Sequence, residues 1–180
     1  PRQKDIVKNV KEIGERIQAN IKEHTDVIAE HPHPLIGNNF VYRPSALILF
    51  YKHNNQKPQW SANGKWSAVF DSSITILSNA EDYALNPDDY YIKSLKTIVK
   101  ETDTKGKNDA ALWARGDLLL TTALIKFINQ VHFSANTSDS VTGRKVFSFP
   151  DSVLVAKIGI ITPRNIRHVI DSLEPQYPQY

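Results

Sequence analysis

The 180-residue chain reads as a mainly α, single helical-bundle-like domain of about six helices, and three observations carry that reading. Apolar residues recur at steps of three and four in one segment after another, the spacing that lays them along one helical face. Prolines stand where helices begin, at Pro44, Pro87 and Pro163, and not inside the apolar runs. The composition, 41% hydrophobic and 23% charged, is that of an ordinary globular domain of this length, which can bury a core without staples.

The first element places Ile6, Val10, Ile13, Ile17 and Ile21 on one stripe, with Lys, Glu and Arg around the rest. This amphipathic helix fades near Glu30, because His31-Pro-His-Pro34 removes two backbone donors and favours extended geometry before each proline. Residues 1–41 thus form an N-terminal helix and Pro-rich loop that could stand apart as an arm, followed by a helical domain over 42–180. Pro44 opens a second helix through Tyr51 with Leu47, Phe50 and Tyr51 on its apolar face, ended by Asn54 and Asn55. After Lys57-Pro-Gln-Trp60 and a turn at Asn63-Gly64, the series Trp66, Val69, Phe70, Ile74, Leu77 predicts a third helix.

Asn86-Pro87-Asp88-Asp89 is a helix start by residue type, with a capping Asn, Pro at the first position and acids in the first turn. Tyr91, Leu95, Ile98 and Val99 line the helix it predicts. The fifth helix, from about Asn108 to His132, is apolar on several sides and is expected to be the hub of the core. The 134–149 stretch is long for a connection and has room for a small strand pair. Residues 151–158 read equally as a short helix or a buried strand. Thr162-Pro163 then opens a last helix through Ile166, Val169, Ile170 and Leu173.

Candidate chemistry is thin. The chain has no Cys, which excludes disulfides, thiolate metal sites and cysteine nucleophiles. A net charge of +3, spread along the chain, gives no nucleic-acid footprint. No apolar run is long enough to span a membrane. His31 and His33 flank a proline with no further ligand pattern, so no metal or other cofactor is expected. The acidic neighbours Asp88 and Asp89, like Glu81 and Asp82, point in different directions on a helix and suit capping better than paired-carboxylate catalysis. Ser67, Ser72 and Ser73 sit in no nucleophile elbow, and Arg164, Arg167 and His168 read as a solvated face. Aromatics crowd the first half: core packing is the preferred reading, with Trp60 and Tyr51 closing the connection between the second and third helices, and the alternative is a ligand surface of Tyr51, Trp60, Trp66 and Tyr90 that stacks on sugar rings.

Three pieces, in order, give the chain a family resemblance. A helix ending near Tyr51 leads to the pair Pro58 and Trp60; Leu85-Asn-Pro-Asp-Asp-Tyr90 opens a helix; and the hub carries Asp117-Leu-Leu-Leu-Thr-Thr-Ala123. This order resembles the non-catalytic scaffold region of the large exported L,D-transpeptidases, enzymes that cross-link peptidoglycan, over Tyr42 to Tyr180. Leu173-Glu-Pro-Gln-Tyr-Pro-Gln-Tyr180 is similar to the boundary after which that family continues into a peptidoglycan-binding module or the catalytic domain. Residues 1–41 match nothing in that pattern, and the 134–149 stretch departs from its usual short connection. The family's catalytic His and its Ser-His-Gly-Cys segment have no counterpart.

The resemblance implies a non-catalytic domain in the periplasm or cell envelope, with its export signal outside the chain. It implies as partners the catalytic and peptidoglycan-binding domains of the same polypeptide, and peptidoglycan itself. The alternative is a free-standing helical module that binds peptidoglycan or a partner protein, and a hydrolase with an unrecognised site is the remote third reading.

Overall fold

The computed structural model describes residues 1, 3–137 and 148–173. Among them are seven α-helices: α1 (Ile13–Glu30), α2 (Pro44–His53), α3 (Ala68–Ser78), α4 (Ile92–Thr102), α5 (Ala110–Thr137), α6 (Asp151–Gly159) and α7 (Ile166–Asp171). Two tiny antiparallel hairpins interrupt them, β1 (Leu35–Ile36) with β2 (Asn39–Phe40) and β3 (Ser61–Ala62) with β4 (Lys65–Trp66). The mainly α class is therefore the observed one.

α5 is the hub for a reason visible in its residues. From Leu118 to Leu120 and on through Ala123, Leu124, Ile125, Phe127 and Ile128 every side chain is buried, so the helix is apolar on all sides and must be surrounded. α1, α2, α3, α4 and α6 all pack on it. Asp109 starts it, accepting from the N–H groups of Ala111 at 3.2 Å and Leu112 at 3.4 Å.

α1 is not a detached arm. Ile13, Ile17, Ile21 and Ile28 enter the same core as α5, and the chain before α1 is tied to the hub's first turn. Val7 donates to the Asn108 carbonyl at 2.8 Å, Ala110 to the Asp5 carbonyl at 2.8 Å, and Asp5 N–H to the Asp109 carboxylate at 2.9 Å. The amphipathic stripe holds from Ile13 to Ile21 and faces this domain's own hub, whereas Ile6 lies before the helix, bridged to Asp109, and is 62% exposed.

Several boundaries differ from the sequence expectation. Trp66 belongs to β4 and not to the third helix: Asn63 (φ 53°) and Gly64 (φ 67°) are both left-handed, the pairing that closes a two-residue type I′ hairpin, and α3 begins only after Ser67 caps it. Asn86 does cap, accepting from Asp88 N–H at 3.1 Å, but what it starts is a 3-10 turn over Pro87–Tyr90. Tyr91 then turns left-handed (φ 58°), and α4 begins after it. α5 runs on to Thr137, past the expected end; the strand pair anticipated within 134–149 falls largely outside the described residues. Residues 151–159 settle as helix, with Leu154, Val155 and Ile158 buried. Thr162 and Asn165 cap each other reciprocally, Thr162 N–H to Asn165 Oδ1 at 2.6 Å and Asn165 N–H to Thr162 Oγ1 at 3.2 Å, so α7 proper starts at Ile166.

Candidate functional site

The most constrained polar cluster lies at the centre of the domain. Asp117 and Thr121 stand four residues apart on α5 and so share one face, and both are fully buried. Tyr51, in the last turns of α2, meets them from across the core: its hydroxyl donates to Asp117 Oδ1 at 2.6 Å and shares a hydrogen bond with Thr121 Oγ1 at 2.8 Å. After α2 the chain reverses through Asn55 and Gln56, both left-handed, with Gln56 N–H returning to the Tyr51 carbonyl at 2.8 Å. That reversal lays residues 57–60 across α5.

The reversed segment completes the cluster. Gln59 N–H donates to both Asp117 oxygens, at 3.0 and 3.1 Å, and Trp60 N–H to Oδ2 at 2.9 Å. The Trp60 indole N–H reaches Thr121 Oγ1 at 2.8 Å, and the Thr121 hydroxyl donates to the Asp117 carbonyl at 2.9 Å. Pro58, which has no N–H, leaves none to satisfy at this crossing. Side chains of the first and third motif pieces, Tyr51 and Trp60 with the Asp117–Thr121 pair, thus meet in one knot, while Leu85–Tyr90 lies outside it.

Its electrostatics follow from burial without a cation. Burial pushes the Asp117 carboxyl up to about 6, against the downward pull of the Tyr51, Gln59 and Trp60 donors. Burial, then the neighbouring Asp117, raises the Tyr51 phenol well above its ordinary range. The network accommodates either protonation state: a neutral Asp117 can donate to Tyr51, which then donates to Thr121. Since every hydrogen bond of the carboxyl ends on protein, the knot joins three chain segments and presents nothing to a substrate.

The alternative ligand surface does not form. Tyr51 and Tyr90 are 0% exposed and Trp60 4%, so none offers a face to a sugar ring. Phe50 stacks parallel to Trp60 at 6.1 Å, and Tyr90 packs its ring on Phe127 at 5.2 Å while its hydroxyl donates to Gln130 at 2.7 Å. Trp66 is half-buried between Phe70 at 4.1 Å and Trp113 at 4.5 Å, with its indole N–H on Thr102 at 2.9 Å. Aromatic frequency alone could not separate these packed rings from an exposed platform.

The remaining candidates resolve into structural roles. Asp88 pairs with Lys93 at 3.2 Å and Asp89 with Lys126 at 3.6 Å, so the two acids face different partners. Ser67 caps α3, and the hydroxyls of Ser72 and Ser73 donate to carbonyls one turn back at 2.9 and 2.7 Å. His31 and His33 are exposed and line a pocket of about 290 Å³ with the buried His24, whose pKa is lowered by burial. Among the described residues no group of three or more His, Asp or Glu is arranged to hold a metal, and no helix is long and apolar enough to cross a membrane.

A helical domain locked by a buried acid, with the locking residues drawn from the first and third of the motif pieces, is the class the fold defines. The family model described as "Scaffold domain" matches residues 45–180, and the chain belongs to that family. No curated protein and no solved structure matches it.

Proposed function

We propose that the chain is the scaffold domain of a peptidoglycan-cross-linking L,D-transpeptidase, exported to the cell envelope, where it frames the catalytic and glycan-binding parts of the same polypeptide without performing the chemistry itself. The observation that carries this reading is the knot. The residues that give the chain its resemblance to that family include the ones that fasten α2, the crossing segment and α5 together, which is what a rigid frame requires. With no Cys there is no thiolate to be acylated, and the buried carboxyl is sealed from solvent.

Two measurements test it. The gene beyond residue 180 is read for a Ser-His-Gly-Cys segment, and the isolated chain is incubated with a tetrapeptide-stem substrate and the products resolved by mass spectrometry. The reading requires the segment to be present and the isolated chain to be inert. Product above a heat-denatured control, or a gene lacking that segment, would overturn it.

A further inference from the structure

The β1–β2 hairpin lies between α1 and α4. On the α1 side Pro34 and Leu35 line the pocket of about 290 Å³ together with Val27 and Ile28. On the α4 side the Ser94 hydroxyl donates to Asn39 Oδ1 at 3.3 Å and the Tyr91 hydroxyl to the Phe40 carbonyl at 2.8 Å. Leu35 and Phe40 are cross-strand partners, so their side chains leave the same face of the hairpin. That face is bare: Phe40 is 67% exposed, more than any other large apolar side chain among the described residues, and Leu35 is 47% exposed. One exposed ring alone would be ordinary, but this one stands with Leu35 beside a pocket whose walls include Val27, Ile28 and Pro34.

The two flanks carry opposite charge. On α1, Glu23, Asp26 and Glu30 stand at i, i+3 and i+7, and on α4, Lys93, Lys96 and Lys100 repeat that spacing, so each set forms one stripe. Lys22 pairs with Asp26 at 2.6 Å and the terminal amine lies 4.0 Å from Glu23, yet the α1 flank stays net negative. Asp88 pairs with Lys93 at 3.2 Å, and the α4 flank stays net positive. Glu101 lines the groove between α4 and the hairpin tip instead.

We propose that this face binds a second copy of the chain about a two-fold axis through the hairpins. The order acid, apolar, base makes the patch self-complementary: a half-turn lays each copy's α1 stripe on the other's α4 stripe and each Phe40 beside the other's pocket. A polyanion would meet the acidic α1 stripe, and a polycation the basic α4 stripe, so the mixed face selects against both. Burial of Phe40 and Leu35 supplies the affinity, while the exposed ion pairs add little energy and fix the orientation. The inference goes beyond the proposed function and does not depend on it.

The test is sedimentation equilibrium of the whole chain from about 1 μM to about 1 mM, where the mass should climb from one copy toward two and stop there. Phe40→Asp, at an exposed position that leaves the fold intact by circular dichroism, should weaken association at least about tenfold. A charge exchange then tests the two-fold geometry. Asp26→Lys with Glu30→Lys in one chain, and Lys96→Glu with Lys100→Glu in another, should each weaken self-association about tenfold, and an equal mixture of the two should associate as the wild type does. A mass fixed at one copy up to about 1 mM, a Phe40→Asp chain that still associates, a mixture no stronger than its components, or growth beyond two copies would each overturn the proposal.

Discussion

Replacing Tyr51 by Phe opens the buried knot at one atom while leaving the ring packed edge-on against Phe50 at 5.3 Å. No cavity forms, so the cost comes from hydrogen bonding alone. The lost bond to Asp117, 2.6 Å long and ending on an ionisable group, contributes about 1.5–3 kcal/mol, and the one to Thr121 at 2.8 Å about 1 kcal/mol. The expected loss is therefore about 2–4 kcal/mol. Thr121→Val keeps the shape but orphans the Trp60 indole N–H as well, for about 1–3 kcal/mol beyond its own bonds. Because both variants delete the same Tyr51–Thr121 bond, the double variant should cost about 1 kcal/mol less than the sum. Urea unfolding followed by circular dichroism and tryptophan fluorescence reads all three, with the denaturant slope unchanged. A Tyr51→Phe loss below about 0.5 kcal/mol, or strict additivity, would refute a cooperative knot.

Three further outcomes follow from the same packing. With the Asp117 carboxyl pushed up to about 6 in the fold and near 4 when unfolded, the native state holds a proton that the unfolded chain has released. Its contribution to stability therefore falls as pH rises from about 4 to 6, by about 3 kcal/mol, and is flat above; wild type minus Asp117→Asn in urea should show that slope, and the opposite sign would contradict it. Gly116→Ala puts a Cβ 2.6 Å from the Trp66 ring and 3.0 Å from Ile98, so a loss of about 1–3 kcal/mol with altered near-ultraviolet dichroism is expected, against no change if the indole moves freely. Phe127→Ala removes a ring held edge-on by Tyr83 at 5.4 Å and Tyr90 at 5.2 Å and should cost about 3–5 kcal/mol by denaturant unfolding, with a near-zero loss meaning the hub is mis-faced.

Helix existence was legible because periodicity records which side of a helix is buried. The stripe of Ile13, Ile17 and Ile21 and the all-round apolar hub both appear as read. Boundaries were not, where a left-handed residue decided them. Trp66 continues the three-and-four spacing by coincidence while Asn63 and Gly64 fold a hairpin beneath it, and Tyr91 ends a turn that the Asn86 signal had started correctly. Exposure of the aromatics was illegible too, since a ring stacked in the core and one offered to a ligand are the same letter. The knot left one trace: an acid and a Thr at i and i+4 inside a Leu run, which can be buried only if donors arrive from elsewhere in the chain. Nothing local says that those donors are the Gln59 and Trp60 amides.

The claim that the motif residues act as a lock is tested most directly by amide hydrogen exchange at Gln59 and Trp60. Both N–H groups lie outside helix and strand, so only their bonds to Asp117, 2.9–3.1 Å long, can hold them. If the knot closes the domain as one cooperative unit, they exchange only through global opening, with the same protection free energy as Leu120 in the hub. Exchange through a lower-energy local opening, with Leu120 still protected, would show that the crossing segment merely rests on α5 and would contradict the lock.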